Sequence, residues 1–466
     1  MTGQTGKIKP NRTMTANVGR TPGADNLQVS AGSALLARWQ AGDEVARSEL
    51  RALMQAATEG QFDAVFSEPA PTDSVGVTTS LHLLTLTILN QLNGLTSAEF
   101  YKGDPQRFVR TTLMTQRLLG IRKLTLGWPV YAFSAESLGQ AMLYPEAHAP
   151  GADPGAPLIN QDNWRELRSP DLESDILRVI EDMLACFAEL TGLEPVAHLA
   201  APYSLAADIY GQEALIAALL EAPEFVAEFL DHLVDQVFAP WIERLSRHFP
   251  QVWIELSDAS GSPLFIGSRL FKQIAAPSVH RLINDYPWGR RVFVANYRGD
   301  NPAPTAAGGG RRRTGGPRSR RGKKEDGSEA GRAPDAAALV ELIDFKLSLC
   351  PEFVIRLEAD QAPVSFYVEQ ALQRDKPLYL GIGATRIDRN SIVNHAAAER
   401  DIEAIAAERA QAIRTVAEAL ARNGHPRSEL AWPGDIYIED INAESDLGLV
   451  KTTIEAAATH GSMSLG

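Results

Sequence analysis

The chain has 466 residues, 44% hydrophobic and 22% charged, an ordinary globular composition long enough to bury a large core. Its formal net charge of −13 disfavours nucleic acid as a general partner, and no apolar run reaches the roughly 18 residues of a membrane span. Two cysteines 164 positions apart, Cys186 and Cys350, make neither a disulfide scaffold nor a zinc-ribbon pair, and the charged N-terminus lacks the apolar segment of a secretory signal. The reading is a soluble cytoplasmic protein.

Residues 1–30 are polar and rich in Gly, Thr and Asn, the composition of a disordered segment. Residues 31–120 read as a helical N-terminal extension. Leu35, Leu36, Trp39, Val45 and Leu50 recur at near-helical spacing, and apolar helical stretches follow over 81–95 and 104–119. From 121 to 466 short apolar runs alternate with longer helical ones. Strands are predicted over 123–133, 195–200, 252–256, 291–296, 352–357, 377–382 and 435–438. Helices are predicted over 174–189, 212–249, 268–285, 336–349, 364–374 and 394–423. Such alternation argues for an α/β fold with a parallel sheet. No glycine-rich GxGxxG or GxxxxGK[ST] loop follows any strand, so a closed (β/α)8 TIM barrel is favoured over an open nucleotide-binding sheet.

One segment interrupts the pattern. Residues 301–334 are almost devoid of apolar side chains, and 311–324 hold eight positive charges and no acid. Gly, Pro and Arg in this mixture cannot build a packed core, so the stretch reads as a flexible basic insertion in a βα loop. Its place after a strand would let it act as a lid; an arm for an acidic partner or nucleic acid is the alternative.

The most informative stretch is 199–211, LAAPYSLAADIYG. It reads as strand, tight loop and helix, with Tyr203 and Asp208 beyond the strand end, where a barrel enzyme keeps its chemistry. Other polar residues also follow predicted strands: Ser257 and Asp258, then Asn296, Arg298 and Asp300, then Glu358 and Asp360, then Arg386 and Asp388, and finally Glu439 and Asp440. Carboxylates around a common mouth can divide into acid and base when burial separates their pKa values. Arg298 or Arg386 can hold a carboxylate or phenolate bidentately. Trp128, Tyr131, Tyr203 and Tyr297 supply apolar walls for a small-molecule pocket. The predicted catalytic set is Asp258, Arg298, Asn296 and Asp360; the predicted substrate-binding set is Trp128, Tyr203, Asp208, Tyr297 and Arg386. Plainer readings stand beside these. Asp258 can cap its own loop, Arg298 and Asp300 can form a structural ion pair, and His198 can be a core histidine. Cys186 reads as a core thiol, and Cys350 has no visible base to activate it.

The stretch 199–211, closing on EAPEF at 221–225, resembles a signature of the uroporphyrinogen decarboxylase superfamily. That superfamily holds porphyrinogen decarboxylases and cobamide- or corrinoid-linked methyltransferases. Residues 135–171, 254–282 and 292–300 (VFVANYRGD) resemble further segments of it in the same order, so the resemblance covers roughly 100–460. It implies a (β/α)8 barrel enzyme. In the methyltransferase branch a His and a Cys of the segment matching VFVANYRGD bind zinc with a later Cys; here Asn296 and Arg298 take those places, and 435–446 contain no cysteine. The resemblance therefore implies no family-type zinc site, and the Arg298 guanidinium would supply the positive charge instead. The arginine-rich N-terminal motif of the decarboxylase branch has no counterpart, and Asp208 stands where that branch carries a pocket tyrosine. The expected function is methyl transfer or demethylation of a small carboxylated or methoxylated molecule, with a corrinoid protein or a corrinoid or folate methyl carrier as partner. Decarboxylation of a porphyrinogen-like substrate and a non-catalytic ligand-binding barrel are the alternatives, and a homodimer is allowed.

Overall fold

The structure, a computed structural model, describes residues 29–68, 74–127, 130–294, 336–349, 353–355, 362–423 and 434–463. Seven strands run parallel: β1 (Val77–Ser80), β2 (Val196–Ala200), β3 (Trp253–Ser257), β4 (Val292–Val294), β5 (Phe353–Ile355), β6 (Leu378–Ile382) and β7 (Ile436–Asp440). They form two sheets, ordered β1-β7-β6-β5 and β2-β3-β4, and helices alternate with most of them in the chain. The fold is thus mixed α/β, as the alternation of short and long apolar segments requires. A small antiparallel pair, Met142–Leu143 with Gly151–Ala152, stands apart.

Alternation along each strand separates two faces. Ala197, Leu199, Ile254, Leu256, Val292 and Val294 join the hydrophobic core that the helices cover. Register then places His198, Glu255 and Phe293 side by side on the opposite face. In the second sheet the same alternation puts Tyr379, Gly381, Tyr437 and Thr78 on the face opposite the core residues Leu380, Ile382, Ile436 and Val77.

Three expectations from sequence are corrected. The strand predicted over 123–133 is not formed. Thr125 donates its amide to Gln116 Oε1 at 3.1 Å and accepts Gln116 Nε2 at its carbonyl, so its backbone is occupied by a side chain rather than a ladder. Gly127 then turns the chain at φ +50°, and the helix Val130–Ser137 follows. The segment still sits between the sheets: Ser80 Oγ donates to the Gly127 carbonyl at 3.4 Å, and Thr125 Oγ1 lies 2.8 Å from His198 Nε2. Second, Val77–Ser80, inside the stretch read as helical, is a strand paired with the last strand of the chain. A four-residue strand amid helical spacing leaves no periodicity to detect. Third, the helix predicted over 212–249 is divided. Pro223 starts a new helix at Pro223–Leu233, and a π-turn at Val234–Phe238 precedes Ala239–His248. The predicted disordered N-terminus and the insertion 301–334 lie outside the described residues.

The first sheet is fastened at its entry by Asp435. This carboxylate is 1% exposed and accepts the Gly76 amide at 2.9 Å and the Thr78 hydroxyl at 2.8 Å, with the Arg122 and Lys123 charges nearby. Asp435→Ala leaves two donors at the β1/β7 entry without their acceptor. We expect a loss of about 2 kcal/mol in urea unfolding; a loss below about 0.5 kcal/mol would show that the carboxylate does not hold this edge.

Candidate functional site at the ends of β2 and β3

β2 ends at Ala200, and its pairing with β3 extends one step further through the Ala201 amide, which donates to the Ser257 carbonyl at 2.8 Å. Pro202 opens the next helix, Pro202–Tyr210, where its fixed φ suits the first turn and its missing amide costs nothing. The chain leaving β3 enters the loop 258–262 and then the helix Pro263–Leu270.

Asp258 joins the two. It is 1% exposed, and its Oδ1 accepts the Ser204 hydroxyl at 2.9 Å and the Gly261 amide at 3.1 Å. The Ser204 oxygen in turn accepts the Ser260 amide at 3.3 Å. A side chain at Gly261 would place its Cβ 2.6 Å from both carboxylate oxygens, so this close approach requires glycine. Asp258 therefore caps its loop and ties it to the 202–210 helix.

Asp208 lies one turn beyond Ser204 on the same helix face. Its Oδ2 is buried with no hydrogen-bond partner, and burial alone pushes its pKa up to about 7. No charged neighbour contributes to that shift. A carboxyl so placed is partly protonated at neutral pH and can deliver or receive a proton there. Tyr203, one residue before Ser204, is fully buried, and its hydroxyl has no hydrogen-bond partner among the described residues. Burial, and after it the Asp258 charge, raises its pKa. Its ring belongs to the core and its hydroxyl is buried with it, so it forms no open wall.

Of the other residues predicted for the site, Arg386 is exposed in a 3-10 turn, Ala384–Arg386, after β6. Asp388 caps its own turn, accepting the Asn390 amide and the Ser391 hydroxyl at 2.9 Å each. Trp128, Asn296, Tyr297, Arg298, Asp300, Glu358, Asp360 and Cys350 lie outside the described residues, as do the side chains of Tyr131 and Glu439. The structure thus brings Tyr203, Asp208 and Asp258 to one helix and loop. Cys186 is a half-buried thiol whose pKa burial raises to about 11.

Two polar groups carry more than their sequence context suggested. His198, in the middle of VAHLA, is 8% exposed, bonded to Thr125 and 3.9 Å from Glu255 Oε1. His82 is 7% exposed with its ring edge against Tyr101, and burial lowers its pKa to about 3. The legible signal was a titratable residue inside an apolar strand, for Glu255 in WIELS as for His198. Among the described residues no three His, Cys, Asp or Glu side chains converge as metal ligands. No described helix is long and apolar enough to cross a membrane.

No family model matches the chain, and no curated protein matches it. Among solved structures the fold is similar to that of a methyltransferase from Methanosarcina mazei, with a TM-score of 0.52 and 13% sequence identity, over 88% of this chain and 98% of that chain.

Proposed function

We propose that this protein is a methyl-transfer enzyme of the uroporphyrinogen decarboxylase superfamily type, with its strands completing a (β/α)8 barrel and its site at the ends of β2 and β3. Support comes from the likeness to the Methanosarcina methyltransferase across nearly the whole of both chains. The bridging of the two sheets by 122–127 and the order of the sequence motifs agree with it. The single observation that carries the chemistry is Asp208, a buried carboxyl without a partner for Oδ2 and titrating near neutrality.

The substrate in this reading is a small methoxylated molecule. Methyl transfer breaks the bond between its oxygen and the methyl carbon, and the electron pair stays on oxygen. The methyl group passes to the nucleophile of an external acceptor, a corrinoid or folate carrier. The departing oxygen takes the proton from Asp208, leaving a hydroxyl product and an aspartate carboxylate. Asp258 holds the loop beside the helix that carries Asp208. Asn296, Arg298 and Asp360 are the proposed catalytic companions, and Trp128, Tyr297 and Arg386 the proposed binding groups. No step here runs through a metal.

The test follows demethylation of methoxybenzoates by the purified protein with reduced cobalamin as acceptor. We expect turnover that declines as pH rises through about 7, where Asp208 loses its proton. Asp208→Asn should reduce it at least about tenfold, equal to about 1.4 kcal/mol of barrier. Absence of demethylation, or an Asp208→Asn variant with unchanged rate and pH profile, overturns the reading.

A further inference from the structure

Glu255 occupies an unusual place for a carboxylate. It lies in β3, the central strand of its sheet, with β2 and β4 paired on either side. Its neighbours Ile254 and Leu256 are 1% exposed against the helices, yet the Glu255 side chain is 25% exposed. That exposure lies on the opposite face, the one shared with His198 and Phe293.

Aromatic rings lie beside this carboxylate. Phe293 is its register partner on β4, and Trp253 precedes it by two residues on the same face. The two rings meet edge to face at 6.1 Å. Among the described residues no Lys or Arg nitrogen comes within 4 Å of Glu255; its ionic neighbour is His198, at 3.9 Å. Burial holds the His198 imidazole below its ordinary pKa, and Lys123 lowers it further while Glu255 opposes the shift. The histidine therefore favours its neutral form, and among the described residues no cation pairs with the carboxylate within 4 Å. The nearby cations Arg122 and Lys123 also act on Asp435, at the entry of the other sheet. A partly buried charge without a counter-charge costs free energy that a cationic ligand would recover. The partly exposed Trp253 ring, packed edge to face on the buried Phe293 ring, adds a further attraction for a poorly hydrated cation.

We propose that Glu255, with Trp253 and Phe293, forms a binding site for the substituted ammonium group of a small organic cation on the face of β2-β3-β4 opposite the helices. The site sits one register layer below Ala200 and Ser257, after which the helix carrying Asp208 and the loop carrying Asp258 begin. The inference stands on the geometry of the sheet and does not depend on methyl transfer.

Choline and its neutral isostere 3,3-dimethylbutan-1-ol separate charge recognition from shape and from hydroxyl binding. Isothermal titration of the full-length protein should give choline an affinity at least about tenfold above that of the isostere, in the range of a desolvated cation on rings and a carboxylate. Glu255→Gln should bring the two ligands within about twofold of each other, and Trp253→Ala should weaken choline at least about threefold. Equal binding of choline and the isostere to the unmodified protein overturns the proposal, because the pocket would then recognise the hydroxyl or the alkyl group. Failure of choline to bind overturns it as well. Because the comparison of two ligands on the unmodified chain decides the matter, a Glu255 variant that folds poorly does not obscure the result. Loss of demethylation with choline binding intact would count against the proposed function alone.

Discussion

Replacing Asp208 by Asn makes the protein more stable at pH 8 than the unmodified chain, while near pH 4 the two differ little. In the folded protein burial raises the Asp208 pKa from an ordinary 3.8 to about 7. Below pH 3.8 the carboxyl is protonated in both folded and unfolded chains, and its burial carries no charge. Between pH 4 and 7 the unfolded chain releases the proton while the folded chain retains it, so stability falls as pH rises. Above 7 both forms are ionised, and the folded protein bears the full cost of a desolvated carboxylate. The complete shift corresponds to about 4 kcal/mol, and partial solvent contact at this residue reduces the expected gap to about 3 kcal/mol. Asparagine cannot ionise and removes the pH-dependent part. Urea unfolding at pH 4.5 and pH 8 measures this directly. A gap that does not widen with pH would mean that Asp208 is solvated or paired in the folded state, and it would remove the basis for its role as a proton donor.

Gly434→Ala should cost about 3 kcal/mol or more, enough to lower the yield of folded protein. Gly434 precedes β7 with φ at +126°, a conformation that residues with a Cβ rarely adopt. A Cβ there would stand 2.1 Å from the Leu378 carbonyl oxygen and 3.1 Å from Ile413 Cγ2. The carbonyl belongs to the first residue of β6, whose backbone pairs with β5 and, one step further on, with β7. Neither partner can retreat without disturbing the sheet at its centre, and the methyl group has nowhere to go. Chemical denaturation at a single pH tests this, and a loss below about 1 kcal/mol would show that the β7 entry is adaptable. The neighbouring Asp435 makes the same edge dependent on a buried carboxylate, so the two substitutions act on one structural joint.

Much of the architecture was legible in the chain. The strands around 196–200, 253–257 and 378–382 are short runs between longer amphipathic segments; burial on both faces of a parallel sheet makes 378–382 uniformly apolar, while Glu255 interrupts 253–257 on its partly exposed face. The position of Tyr203, Asp208 and Asp258 past strand ends was also readable, because strand, Pro-containing corner and helix are encoded within a few residues. The failures share one cause. At 123–133 apolar character suggested a strand, yet Gln116, nine residues before Thr125, takes its backbone bonds, and sequence-local patterns do not register such a competitor. At Val77–Ser80 the strand exists because the last strand of the chain, more than 350 residues later, supplies its partner.

The same division applies to the site. The sequence by itself determined which residue types stand at the strand ends and that the chain alternates strand and helix, since both depend on local periodicity and turn chemistry. Only the tertiary structure decided what those residues are. It buried the Tyr203 ring, committed Asp258 to Ser204 and Gly261, and left Asp208 desolvated with no charged neighbour to lower its pKa. It also placed Glu255 beside His198 and two aromatic rings, with His198 and Phe293 coming from other strands. Burial, pairing and protonation depend on neighbours brought together from distant parts of the chain, and those neighbours set the chemistry that residue identity leaves open.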